Sequence, residues 1–212
     1  DPMGPRHRLH TVRRSITHLF GEVPDNLEDL ILASQICQAE ALKFWIERCR
    51  RRKFDCGGIL WWNLLDGWPQ FSDAVVDYYF RKKLAFGYVQ HSQKEVLICM
   101  DETETQDGLQ VYLVNDTLSD LRIQYRVSSA GSLLCETEIA LGSHTAARGM
   151  TLPLPRSSPV LYLLEAETGG RKYRNHYLYL KPPMQLEQYK EMLKDIPSAD
   201  FEAARIPVLK ET

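Results

Sequence analysis

The sequence predicts an α+β chain, a helical segment with one buried strand followed by a seven-stranded immunoglobulin-like β-sandwich. Three observations predict it. Apolar residues recur every three or four positions in the first quarter of the chain, which is a helical period. They recur every second position from about residue 94 to residue 180, which is a strand period. Between the two lies Ile59–Leu64, short and apolar on both faces, as in a strand covered on both sides.

The helical part is read in order. Residues 1–24 are basic and irregular, with a short helix over 11–20. Pro24-Asp25-Asn26 is a helix start, because a short polar side chain can accept the free N–H groups of a first turn. Leu30, Ala33, Cys37, Ala41 and Phe44 then mark one apolar face. Arg48, Arg50, Arg51, Arg52 and Lys53 close the helix, where cations favour the negative end of its dipole. A turn at Asp55–Gly58 leads into the strand, Pro69 and Gln70 open a loop, and Asp77–Tyr88 is a further helix. Candidate strands follow at 95–101, 109–115, 121–128, 133–141, 146–152, 159–167 and 172–180, separated by Gly- and Asn-rich turns. Residues 185–195 read as a short amphipathic helix, and the remainder as an extended tail.

Composition narrows the function classes. A net charge of −2 gives no general pull toward nucleic acid or a membrane surface. No apolar run approaches the ~20 residues of a membrane span. Cys37, Cys49, Cys56, Cys99 and Cys135 are odd in number and lack metal-ligand spacing, so they read as reduced, mostly buried thiols. That leans toward a reducing, cytoplasmic compartment. His7, His10 and His18 have no carboxylate or cysteine cluster beside them and read as surface residues, so no metal or cofactor is expected. The run Arg48–Lys53 has no interleaved aromatic residues and reads as a solvated helix end rather than a polyanion site. Tyr173, Tyr177 and Tyr179 share one strand face, a pattern of half-buried sheet packing or, less often, of glycan binding.

The most informative stretch is Gly57–Pro69, which carries Trp61, Trp62, Asn63, Asp66 and Trp68. Aromatic faces beside polar side chains suit a sugar, since a ring covers the apolar C–H face of a pyranose and excludes water. Together with Ser34-Gln35-Ile36-Cys37-Gln38-Ala39-Glu40-Ala41, it resembles glycoside hydrolase family 2, especially the β-mannosidase-like branch. The first stretch resembles the last strand and loop of that family's catalytic barrel; the second resembles the helix before that strand. The resemblance implies domains at 1–90 (C-terminal part of a (β/α)8 barrel), 91–184 (the immunoglobulin-like sandwich) and 185–212 (helix and tail).

The resemblance also implies a retaining exo-glycosidase acting on terminal β-linked sugars. That mechanism needs two carboxyl groups about 5–5.5 Å apart. The family places both glutamates on barrel strands upstream of this region, the acid/base in an Asn-Glu pair. The chain has no Asn-Glu dipeptide, and fewer than 90 residues precede the sandwich where a barrel needs about 250. The expectation is therefore a fragment with no catalytic residue of its own.

The resemblance points to Trp62 as the wall of the sugar subsite, with Asn63, Asp66 and Trp68 as further substrate-binding candidates. The bland readings are a core tryptophan for Trp62, a turn-forming aspartate before Gly67 for Asp66, and loop packing for Trp68. Trp61 points to the other side and packs under the helices. The implied partners are a β-linked glycoside and the upstream barrel. The alternative is a carbohydrate- or protein-binding sandwich without catalysis. A lone barrel strand would have unpaired apolar edges, so the flanking helices, the sandwich or a second copy of the chain is expected to cover it.

Overall fold

A computed structural model describes residues 5–103, 106–197 and 199. The elements run α1 (Pro5–Phe20), α2 (Leu27–Arg51), α3 (Leu84–Ser92), β1 (Val96–Glu102), β2 (Gly108–Asn115), β3 (Leu121–Ser129), β4 (Ser132–Leu141), β5 (Thr145–Pro153), β6 (Val160–Thr168), β7 (Arg171–Tyr179) and α4 (Leu186–Leu193). The expected tail falls almost wholly outside the described residues, as does the start of the basic N-terminal stretch.

The seven strands form two antiparallel sheets, β1-β2-β5 and β4-β3-β6-β7, packed as a sandwich. Alternation decides which side chains enter it. On β3, Ile123, Tyr125 and Val127 are buried while Arg122, Gln124 and Arg126 face out. They meet Ile98, Met100, Val111, Leu113, Leu164 and Ala166 in one core. The Tyr125 hydroxyl crosses between the sheets and accepts the Met150 N–H at 2.8 Å. Gly149 allows that approach, because a Cβ there would lie 2.6 Å from the Tyr125 oxygen. Buried Asn115 ties the β2–β3 corner: its amide donates to Ser119 O and Gly142 O, and its oxygen accepts from Thr117 N. Tyr173, Tyr177 and Tyr179 pack against the sandwich core, as sheet packing requires.

A second core joins the helices. Ile16 and Phe20 of α1, Ala33, Ile36 and Ala39 of α2, Leu84 and Tyr88 of α3, and Tyr189 and Leu193 of α4 meet there. Asn26 caps α2 by accepting the Asp29 N–H at 2.8 Å. The buried face of α2 is Ala33, Ile36, Ala39, Lys43, Ile46 and Glu47, turned away from the expected stripe, so that Ala41 and Phe44 lie exposed. Helix α1 is longer than the expected 11–20, with Pro5 in its first turn, where a missing N–H costs nothing.

Three expectations are corrected. Ile59–Leu64 forms no strand: its only backbone partners are at one end, where Val75 N donates to Asn63 O and Val76 N to Leu64 O. A strand needs neighbours along its length, and among the described residues there are none for 59–62. The stretch is not covered either, with Leu60 102% and Trp62 78% exposed. The helix expected at Asp77–Tyr88 starts instead at Leu84. The Asp77 carboxylate accepts the N–H groups of Tyr79 and Arg81, both at 2.9 Å, and so forms a turn that competes with helix. Finally, Cys49 and Cys56 form a disulfide, leaving Cys37, Cys99 and Cys135 as thiols. The chain reverses after α2, with Asp55 N and Cys56 N both donating to Arg52 O, and this brings the two Cα atoms to 5.6 Å. The all-thiol argument for a reducing compartment therefore loses its basis.

Polar contacts join the helices to the sandwich. Buried Glu47 on α2 accepts from Lys43 at 3.0 Å, from Ser92 at 3.2 Å and from Asn175 of β7 at 2.7 Å. Two turns earlier, the Glu40 carboxylate accepts from His176 Nε2 at 3.0 Å and from the Tyr189 hydroxyl at 2.5 Å. His176 is fully buried and its Nδ1 has no partner. Burial lowers its pKa below the usual imidazole value, against the pull of Glu40. It is thus a neutral ring whose Nε2–H donates. Burial raises the Glu40 pKa, but His176, Lys43 and Tyr189 outweigh it and hold the carboxyl down at about 2.

Both folded-state values lie below the unfolded ones, so both groups contribute stability above the unfolded pKa that is lost as pH falls toward the folded one. Denaturant titrations should show stability falling below pH 6.5, where unfolded histidine takes up a proton, and again below 4.5. His176→Gln, which keeps a donor toward Glu40 but does not titrate, should remove the first of these losses; an unchanged pH profile would argue against it.

Candidate functional site

The segment after α2 holds every candidate from the sequence, but not in one cluster of converging side chains. Residues 63–66 run parallel to 74–76, with a bridge between Leu65 and Val76, and Lys82 pairs antiparallel to Val76. Ala74 and Val75 are buried and anchor this small platform. Helix α2 fixes it from below: Gln35 Oε1 accepts the Leu84 N–H at 2.8 Å, and Gln38 donates to Asp73 O at 2.5 Å. These two glutamines belong to the stretch Ser34–Ala41, and their positions one turn apart put both on the face beneath the platform.

Asp66 is 3% exposed and turned inward. Its Oδ1 accepts from the Ser72 hydroxyl and from Gln70 at 3.1 Å, and Lys83 lies 3.6 Å from Oδ2. Lys83 also donates to Ser72 O at 3.3 Å. The carboxylate thus closes the loop 66–72 on itself and ties it to the start of α3. Ser72, Gln70 and Lys83 were not singled out from the sequence; the polar residues following Asp66 were the only signal for them.

Trp62 and Trp68 present their rings outward, 78% and 64% exposed. Asn63 is half-buried and donates to Leu65 O at 3.4 Å, and the Trp62–Asn63 peptide is cis. Trp61 turns the other way and packs against the helical core, as alternation requires. Phe54, Leu64, Phe71, Tyr79 and Phe80 are also exposed, which makes the segment from 54 to 80 an apolar surface with an aromatic character. Such a surface with one buried, hydrogen-bonded carboxylate can bind an apolar ring face. Among the described residues, no group of three His, Cys, Asp or Glu is placed to hold a metal ion, and no helix is long and apolar enough to cross a membrane. His10 and His18 lie exposed on α1.

Fold and segment together define a class, a helical platform joined to a seven-stranded β-sandwich. No protein-family model matches the chain. The β-mannosidase B of Aspergillus flavus is 37% identical over 91 residues, which are 41% of this chain and 11% of that protein. That of Emericella nidulans is 40% identical over the same length, and that of Aspergillus terreus 42% over 79 residues. Among solved structures, the β-D-mannosidase of Dictyoglomus thermophilum superposes with a TM-score of 0.69 at 24% identity, covering 81% of this chain and 22% of that one. The exo-chitosanase of Amycolatopsis orientalis superposes at 0.65 with 18% identity, covering 80% and 21%. The chain is homologous to part of the β-mannosidases and spans about a tenth of the curated relatives it matches.

Removing the Asp66 carboxylate leaves Ser72, Gln70 and Lys83 without their common acceptor. Asp66→Ala should destabilise the chain by about 2–4 kcal/mol in urea titrations, the range for breaking a buried hydrogen-bonded charge. A loss under 1 kcal/mol (roughly one ordinary hydrogen bond) would show that the loop does not depend on it.

Proposed function

We propose that the chain is the C-terminal part of a β-mannosidase-like retaining exo-glycosidase. Residues 1–90 complete the end of a (β/α)8 barrel, 91–184 are the sandwich that follows it, and 185–212 are a C-terminal helix and tail, of which Tyr189 and Leu193 join the helical core. The observation that carries this reading is the row Leu60, Trp62 and Leu64, apolar yet exposed, in a sequence that reads as a buried strand. Upstream barrel strands would pair with 57–64 and cover that row. Unsatisfied backbone groups and apolar side chains on one segment call for the same missing neighbour.

In the complete enzyme, Trp62 stacks on the sugar that is released, and Trp68 supplies a more distal apolar wall. Asn63 holds a hydroxyl. Asp66 acts through the loop it closes, positioning both tryptophans. The two glutamates of the retaining mechanism come from the upstream barrel, so this chain supplies binding and no proton transfer. The rival reading, a glycan-binding sandwich, loses its main support because the Tyr173, Tyr177 and Tyr179 rings pack toward the core.

The isolated chain should not hydrolyse nitrophenyl β-mannoside, β-galactoside or β-glucuronide. In the complete protein, Trp62→Ala should lower kcat/KM about tenfold to a hundredfold, corresponding to about 1.4–2.7 kcal/mol of lost transition-state binding. Turnover by the isolated chain, abolished by substitution within these residues, would overturn the reading.

A further inference from the structure

The disulfide Cys49–Cys56 stands where the helical scaffold ends and the exposed segment begins. Its first half-cystine lies in the last turns of α2, and its second directly precedes Gly57-Gly58 and the arm that leads to Trp62. The loop it closes, Arg50–Asp55, is fixed to the sandwich from outside. Arg50 donates to Asp116 at 2.6 Å and to Ser92 O, Lys53 pairs with the same Asp116, and Arg51 pairs with Asp101 while lying 4.8 Å over the Tyr112 ring. The ion pairs serve as a base plate, and Cys56 is the point where the chain leaves it.

Beyond Cys56 the arm has little else to hold it. Among the described residues, no backbone carbonyl accepts an N–H from Gly57 to Trp62, and a Cβ on Gly57 or Gly58 would meet nothing within 4 Å. The next backbone anchor is Asn63 O, bonded to Val75 N at 3.1 Å. Only Trp61 packs inward between the two. A glycine pair in open space is a free swivel unless its ends are fixed. One end is fixed by the platform, and the other by the disulfide together with the single Cys56 N–H bond to Arg52 O at 3.0 Å.

We propose that the Cys49–Cys56 disulfide is an oxidation-dependent anchor that positions the Trp61–Trp62 arm. A dithiol reductant opens it by exchange: one reductant thiolate attacks a protein sulfur, the second closes the reductant's own disulfide, and two cysteine thiols are released with two electrons and two protons transferred. The ion-paired loop Arg50–Lys53 stays docked, while Cys56 loses its side-chain tether and is left with its N–H bond to Arg52 O as the anchor before the glycines. The arm then samples orientations in which Trp61 leaves the helical core. The consequence for sugar binding rests on the reading of Trp62 given above, but the order of the arm is measured without any sugar.

The test uses the 212-residue chain, oxidised or reduced with dithiothreitol. Alkylation and mass measurement of the oxidised chain should find three thiols, Cys37, Cys99 and Cys135, and one disulfide. On reduction, chymotryptic cleavage after Leu60 to Trp62 should accelerate roughly tenfold, as for a segment released from a local constraint. Acrylamide quenching should rise, because Trp45, Trp62 and Trp68 are already exposed and only Trp61 has burial to lose. Cys56→Ser should behave like the reduced chain under both conditions, and Cys135→Ser like the parent. Where Cys56→Ser fails to fold, the reduced parent decides. Unchanged cleavage and quenching after confirmed reduction would overturn the proposal, and so would five free thiols in the air-oxidised chain. Loss of sugar binding by Trp62→Ala in the complete enzyme, with no redox effect here, would leave the functional reading standing without the anchor.

Discussion

Helix α2 meets the sandwich with charge on its buried face. Lys43 and Glu47 are an ion pair at 3.0 Å, both nearly inaccessible to water. Such a pair adds little net stability, because desolvation offsets the attraction, but leaving either charge unpartnered is costly. Glu47 is satisfied only when Ser92 of α3 and Asn175 of β7 arrive together. Asn175 in turn donates to Ile98 O of β1. Four elements distant in sequence are thus brought to one carboxylate, and few other dockings of helices and sheets would satisfy it.

Glu40 repeats the arrangement two turns away for α4. Its acceptors receive His176 of β7 and Tyr189 of α4, whose hydroxyl lies 2.9 Å from that of Tyr88 on α3. The closing helix is therefore bound to the same junction through polar contacts as well as through the helical core. Arg50, Arg51 and Lys53 extend the junction to the surface, with Asp101 and Asp116 each shared between cations. The run of cations that reads as a solvated helix end is in fact a docking edge. Its spacing in sequence carries no sign of the two aspartates, which lie 50 and 63 residues away.

This rigid junction explains the contrast within the candidate site. Residues 63–84 are held to α2 by Gln35 and Gln38 and to one another by the Asp66 network, whereas 57–62 project from the scaffold. A sugar-stacking tryptophan is effective only when its ring is held in place, since ordering it on binding would consume affinity. The chain anchors the backbone next to Trp62 at Asn63 and leaves the ring exposed, as the sugar-stacking role proposed for it would require.

Local chemistry made much of this legible from the residues. The seven strands follow from two-residue alternation and turn residues, because each strand finds its partners within the chain. The cap at Asn26, the amphipathic helix near 185 and the inward turn of Trp61 follow from equally local rules. What depends on neighbours did not follow. Ile59–Leu64 has the composition of a buried strand, but hydrogen bonds need a second chain segment, and here one exists only beyond residue 62. The exposed side of α2 at Phe44, the Asp77 turn, the Cys49–Cys56 pairing and the inward carboxylate of Asp66 each depend on which surface lies opposite. Sequence alone determined the seven strands of the sandwich and the long helix before them, and it suggested which side chains would meet a sugar. Tertiary structure decided which faces are covered, because burial is a property of pairs of surfaces and a sequence carries only one member of each pair at a time.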